Sequence, residues 1–227
     1  MRKLILTILI SSLGYSLNAQ TNLTDRQAGL DSIWNIWKDQ TQADTTRLKA
    51  IDDIAWDGYL FSQPDSAFYF AQMQYDLAKK SGLKKEMARA LKTQGVSLIV
   101  RGDYPKALDC LKRSLELYEE MGNKRGIASC LGNIGAVYQN QGNILNALDH
   151  FQRCLKIKEE FGDKKGIAIA LNNIGLIYMD QGDYPKALDY HQRSLKIKEE
   201  FGDKKGIAIA LNNLGLFLGI KATIPKR

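Results

Sequence analysis

The string Leu-Lys-Ile-Lys-Glu-Glu-Phe-Gly-Asp-Lys-Lys-Gly-Ile-Ala-Ile-Ala-Leu-Asn-Asn stands at residues 155–173 and again, unchanged, at 195–213. Under that offset the blocks 126–165 and 166–205 agree at 26 positions, well over half. The block before them, 86–125, fits the same frame more loosely. Glycine recurs at Gly95, Gly135, Gly175 and Gly215, at Gly102, Gly142 and Gly182, and at Gly122, Gly162 and Gly202. Alanine recurs at Ala67, Ala107, Ala147 and Ala187, which carries the period back into 46–85. A period of this length marks a stacked-repeat architecture, in which a unit buries its apolar face only against its neighbours.

Each unit reads as two helices, A and B. In 163–202, Asp163 is a good N-cap that follows the helix-ending Gly162. Ile167, Ala170, Leu171, Ile174 and Tyr178 then fall at helical spacing and form one apolar stripe. Gly182 ends helix A. Asp183 can cap helix B, and Pro185 sits in its first turn, where a missing N–H costs least. Tyr184, Ala187, Leu188, His191, Leu195 and Ile197 form the second stripe, and Gly202 closes the unit. Small residues at Gly175 and Ala187 are expected to leave room for a facing backbone, since bulk there would overpack the pair. No useful period-2 alternation occurs, so no sheet is expected.

These residues resemble the tetratricopeptide repeat. The shared pattern stands here as Leu171, Ile174-Gly175, Tyr178, Gly182, Tyr184, Ala187, His191 and Ser194. His191 replaces the usual aromatic residue, which the preceding unit supplies as Phe151. The proline expected after helix B is missing, and a unit such as 163–202 is longer than the common form of about 34 residues. The longer unit is similar to the LGN and rapsyn-like subclass, which implies a helix B that runs on. The resemblance is strong over 87–218 and weak over 47–86. It implies an all-α fold, a right-handed α-solenoid of stacked helix–turn–helix units. The implied division is a leader at 1–19, an N-terminal capping helix at 20–43, a degenerate unit at 44–82, and an array at 83–218 that ends on a lone helix A. Leu30, Ile33, Trp34 and Trp37 share a face of the capping segment. They read either as a cover for the open end of the stack or as an exposed aromatic recognition site.

The resemblance also implies where a partner would lie. The concave face of such a stack is lined by helix A positions not used in packing, here Ile169, Asn172, Asn173, Leu176, Met179 and Asp180. Their counterparts are Ser129, Gly132, Asn133, Ala136, Gln139 and Asn140. Asparagine offers both a donor and an acceptor to a peptide backbone, and LGN-type arrays use a ladder of asparagines in this way. The candidate groove residues are therefore Asn133, Asn172, Asn173, Asn212, Asn213, Met179, Asp180 and Gln139. The competing reading is that an asparagine before Leu/Ile-Gly belongs to the general repeat pattern. Basic pairs open each helix A, at Lys84-Lys85, Lys124-Arg125, Lys164-Lys165 and Lys204-Lys205. Acidic pairs precede three of them, at Glu119-Glu120, Glu159-Glu160 and Glu199-Glu200. This pattern reads as a charge-balanced, solvated edge, with a strip for acidic ligands as the alternative.

Catalysis finds no foothold. Cys110, Cys130 and Cys154 occupy positions that other units fill with Tyr, His, Ala or Ser, which suits packing. The two histidines are not neighbours, no phosphate loop, nucleophile elbow or HExxH is present, and neither a cofactor nor a metal is implied. Apolar residues make up 44% and charged residues 25%, ordinary values that exclude disorder and collagen-like structure. The first twenty residues read as a secretory signal: Arg2 and Lys3, an apolar stretch from Leu4 to Leu17, and cleavage after Ala19, with an uncleaved anchor as the alternative. Cleavage would lower the net charge of +7 by two. An exported chain with that excess points to solubility or acidic partners, not to nucleic acid or to membrane insertion of the mature chain. Export to the periplasm is the expected destination. Residues 219–227 depart abruptly from the period, and codons can be chosen so that a one-base shift restores Asp-Gln-Gly-Asp-Tyr-Pro-Lys-Ala. The tail is therefore expected to be frameshifted. The sequence as a whole reads as a non-catalytic scaffold for a protein or peptide ligand. The second reading is the sensory N-terminal part of a larger kinase, cyclase or transcriptional regulator.

Overall fold

The computed structural model describes residues 28–211 and residue 215. The leader at 1–19, the start of the capping segment, Asn212, Asn213 and the tail at 219–227 lie outside the described residues. Every regular element among the described residues is helical, as the absence of period-2 alternation requires. The chain divides into two compact units, Met1–Ser97 and Leu98–Arg227.

The first unit contains α1 (28–38), α2 (Asp44–Asp53), a π-helical turn (Ile54–Tyr59), α3 (Pro64–Lys80) and most of α4 (Lys84–Val100). Its core joins Trp37, Ala50, Ile51 and Ile54, with Leu30, Ile33 and Trp34 packed against them. Trp34 meets Phe70 edge to face at 5.8 Å, and Tyr59 lies 5.3 Å from the same ring. The aromatic face of α1 is thus in contact with α3 and the π turn. Pro64 stands at the start of α3, and its carbonyl accepts from the Ser97 hydroxyl.

The second unit runs from the end of α4 through α5 (Tyr104–Glu120), α6 (Lys124–Asn140), α7 (Ile144–Glu160), α8 (Lys164–Asp180), α9 (Tyr184–Glu200) and α10 (204–211 as described). Helices α6, α8 and α10 are the A helices; α5, α7 and α9 are the B helices. From α5 to α9 every helix has 17 residues, so helix B is no longer than helix A. The core is continuous through Leu131, Phe151, Leu155, Leu171, Ile174 and Ile177, with Tyr178, Tyr190 and Ile197 packed on its edge.

The joints explain the regularity. Gly82, Gly102, Gly122, Gly142, Gly162, Gly182 and Gly202 all take positive φ, between 60° and 78°. The two glycine series seen in the sequence are therefore one evenly spaced series of helix ends. At Gly122 the glycine N–H donates to Glu119 O, and the Asn123 N–H donates to Tyr118 O. This is the paired-bond closure of a helix by a left-handed glycine. Asn123 Oδ1 then accepts from the Gly126 N–H, capping α6 at 3.0 Å. Asp103, Asn143, Asp163, Asp183 and Asp203 act in the same double role. Such a cap contributes roughly 1 kcal/mol, and the last turn of one helix is fixed to the first turn of the next.

Candidate functional site

Packing decides which helix A residues face outward. Leu171, Ile174 and Ile177 turn into the core of the second unit, and Ala187 of α9 is 1% exposed. Gly175 is needed there, for a reason the sequence reading placed differently: a Cβ on it would meet the His191 ring, not a facing backbone. With those positions inward, Ile169 stands 49% exposed and Asn172 and Asn173 are half-buried.

Two depressions result, each between successive A helices. The first, about 190 Å³, is lined by Gly132, Asn133 and Ala136 of α6 and by Ile169, Ala170 and Asn173 of α8, with Phe151, Cys154 and Lys158 of α7 beneath. The second, about 330 Å³, is lined by Lys165, Ile169 and Asn172 of α8, by Lys205, Gly206 and Ile209 of α10, and by Lys198 and Asp203. Asn133 and Asn173 therefore share one depression, and Asn172 faces the next. Met179 and Gln139 are half-buried in the last turns of α8 and α6, Asp180 is exposed beside Met179, and none of the three lines either depression. Asn140 Nδ2 donates to Ala136 O, an internal use of that side chain.

The basic pairs divide their work. In two of the pairs the first lysine meets a glutamate near the end of the same unit: Lys124 Nζ with Glu160 Oε2 at 2.7 Å, and Lys164 Nζ with Glu200 Oε2 at 2.9 Å. These bonds join the start of helix A to the end of the following helix B. They do not involve the acidic pair just upstream, which the sequence reading took as the compensating charge. The second member turns elsewhere. Arg125 lies over the Phe161 ring at 5.6 Å, and Lys165 and Lys205 line the second depression.

Two further cations reach the site from helix B, and the sequence reading passed over both. Lys158 lines the first depression, with Nζ 3.5 Å from Asp163 Oδ2. Lys198 lines the second and is 6% exposed. Burial holds the Lys198 ammonium below its ordinary pKa, against the opposing pull of Asp203. Their passage depends on the glycine at the third position of the next helix A. A Cβ on Gly166 would collide with Lys158 Nζ, and one on Gly206 would stand 3.1 Å from Lys198 Cδ. The signal was present in the sequence as Tyr118, Lys158 and Lys198 at one register of the period and Gly126, Gly166 and Gly206 at another.

The cysteines are packing residues. Cys154 Sγ donates to Ala128 O at 3.1 Å, as Ser194 Oγ donates to Ala168 O at 2.7 Å one unit later. Cys130 Sγ lies 3.3 Å from Ser114 Oγ. Among the described residues no group of three metal-ligating side chains occurs, and no helix is long and apolar enough to cross a membrane.

Comparison with known proteins agrees with this architecture. No curated protein sequence matches the chain. Among solved structures, a Rap protein complexed with competence and sporulation factor is similar over 89% of this chain and 60% of its own, with a TM-score of 0.74 at 18% identity. Aspartyl phosphate phosphatase F from Bacillus subtilis is similar over 78% of this chain and 46% of its own, with a TM-score of 0.72 at 17% identity. BtubC from P. vanneervenii is similar over 76% and 71%, with a TM-score of 0.62 at 18% identity. The chain thus spans three-fifths of the length of the first and about half of the second, and the likeness to all three is one of fold. A family model described as tetratricopeptide repeat matches residues 86–160 and 166–218. With more than half its residues so matched, and with paired helices joined by evenly spaced glycines, the chain belongs to the tetratricopeptide repeat family.

Proposed function

We propose that the chain is a non-catalytic scaffold for protein–protein interaction, and that it receives an extended peptide or partner helix along α6, α8 and α10. The observation that carries this reading is the shared depression of Asn133 and Asn173. Two asparagines at equivalent positions of successive units line one opening of about 190 Å³, beside the exposed Ile169. Carboxamides there can pair with the N–H and C=O groups of a peptide backbone, while Ile169 and Ile209 offer apolar surface on which its side chains can rest. The Rap protein of similar fold was solved as a complex with competence and sporulation factor, which supports a partner in this kind of array. We further propose that residues 1–19 direct export, so that the partner is met in the periplasm.

The test is selection of random phage-displayed peptides on the purified protein, followed by binding to the Asn133→Ala/Asn173→Ala variant. Selected peptides should bind that variant about tenfold more weakly, while its melting temperature stays near that of the parent. Equal binding to both proteins would remove the asparagines from the site. Export is tested by N-terminal sequencing of the cell-derived protein, which should begin at Gln20.

A further inference from the structure

Lys198 lacks the charge partner that Lys158 has one unit earlier. It is 6% exposed and makes no ion pair among the described residues. Its stem is enclosed while its ammonium lines the depression between α8 and α10, where a cation beside low-dielectric surroundings gains from a compensating charge. One unit earlier Lys158 is less buried, with 17% of its side chain exposed, and has Asp163 at 3.5 Å. Asp203 is the equivalent acid and caps α10 through the Gly206 N–H at 2.9 Å, as Asp163 caps α8, yet among the described residues it forms no salt bridge with Lys198. Around the opening that Lys198 lines, Lys165 and Lys205 add two more cations against that single aspartate. Glu200 is paired with Lys164 at 2.9 Å, so that carboxylate is already engaged.

Resting on the groove reading above, we infer that the depression between α8 and α10 accepts an acidic side chain of the bound peptide, with Lys198 as the group that receives the carboxylate. Lys165 and Lys205 form the cationic rim, and Asn172 is a neighbouring amide. Ile169 and Ile209 flank the cations, so an apolar residue beside the acidic one completes the fit. An arriving carboxylate supplies the charge that Lys198 lacks, and partial exclusion of water strengthens that bond relative to a surface pair. Lys158, already satisfied by Asp163, contributes less.

The probes are three fluorescein-labelled twelve-residue peptides: a repeat of Glu-Leu-Ser, its Gln-Leu-Ser counterpart and its Lys-Leu-Ser counterpart. Fluorescence anisotropy should show the glutamate peptide binding about tenfold or more tightly than the glutamine one, with affinity falling as salt rises. Lys198→Met should bring the glutamate peptide to the level of the glutamine peptide without lowering the melting temperature. Lys205→Glu, a change at an exposed position, should weaken the same peptide even if Lys198→Met folds poorly. Equal binding of the glutamate and glutamine peptides, or a preference that survives both substitutions, would overturn the acidic assignment. If the glutamine peptide binds as well and loses affinity in Asn133→Ala/Asn173→Ala, the groove reading stands and only the charge inference fails. If none of the three peptides binds, both fail.

Discussion

The imidazole of His191 lies directly on Gly175: a Cβ on that glycine would stand 2.9 Å from Cε1 and 3.0 Å from Nδ1. One unit earlier the Phe151 ring lies on Gly135 in the same way, 2.8 Å from the corresponding point. The glycine inside helix A is therefore a seat for one ring of helix B. The ring is 1% exposed in both units.

Gly175→Ala should lower stability by about 1–3 kcal/mol, because the added methyl group overpacks a rigid neighbour. In a His191→Ala background the same change should stabilise, since alanine is better than glycine in a helix by about 1 kcal/mol and no ring then opposes it. Urea unfolding of the four proteins checks the reversal. A destabilising Gly175→Ala in both backgrounds would point to a backbone contact in place of the ring.

His191→Phe should raise stability by about 1–3 kcal/mol, because a phenyl ring removes unmet polar groups of that cost. Neither ring nitrogen of His191 has a hydrogen-bond partner among the described residues. Burial, with a smaller contribution from Lys198, holds the His191 pKa below its ordinary 6.5. As pH falls, the unfolded chain therefore takes up the proton before the folded one does. The His191 contribution is intact above about pH 6.5 and is lost as pH falls toward its lowered native value. The melting temperature of the parent should drop more steeply between about pH 7 and pH 5 than that of His191→Phe.

The thiols should be inert in the folded protein. Cys110, Cys130 and Cys154 are all buried and unpaired in disulfides, and burial pushes the Cys110 and Cys154 thiols above their ordinary pKa. A thiol reagent of the disulfide-exchange type should titrate three groups at once in guanidinium and react only slowly in its absence. Fast modification of one thiol under native conditions would show a local opening.

Removing an edge ion pair should matter little. Lys164 and Glu200 are more than two-fifths exposed, as are Lys124 and Glu160. Lys164→Ala and Glu200→Ala should each change stability by no more than about 1 kcal/mol, and by less at high salt. Lys164 and Lys198 stand at the two ends of one helix pair, and only Lys198 is enclosed along most of its length.

The fold was legible because every local signal agreed with the period. Gly162 before Asp163, Pro185 after Asp183, and the stripe through Leu171 and Ile174 each name a position in a helix pair, and the structure places them there. Helix B is less legible. Its apolar stripe includes Leu195 and Ile197, yet Ser194 and Lys198 are more deeply buried. A serine that donates to a carbonyl across the seam, and a lysine that runs through a gap opened by a glycine on another helix, are set by tertiary geometry. Hydrophobic periodicity registers neither. The site divides along the same line. Asn133, Asn172 and Asn173 follow from helix A alone and reach the depressions, whereas Lys158 and Lys198 need the A/B pairing to be known first.

The joints have one more consequence. From Gly102 onward, each uses only residues from the last turn of one helix to the first turn of the next, and a single Asp or Asn serves both ends. The closing bonds and the cap of each joint are local, and the ion pairs that link one joint to the next, Lys124 with Glu160 and Lys164 with Glu200, repeat with the period. An in-frame exchange of one whole unit, whether gain or loss, would therefore leave every remaining corner with the same bonds. The unit of structure is also a unit that recombination can copy without repair. Two identical stretches, 155–173 and 195–213, each span one such corner, at Gly162 or Gly202.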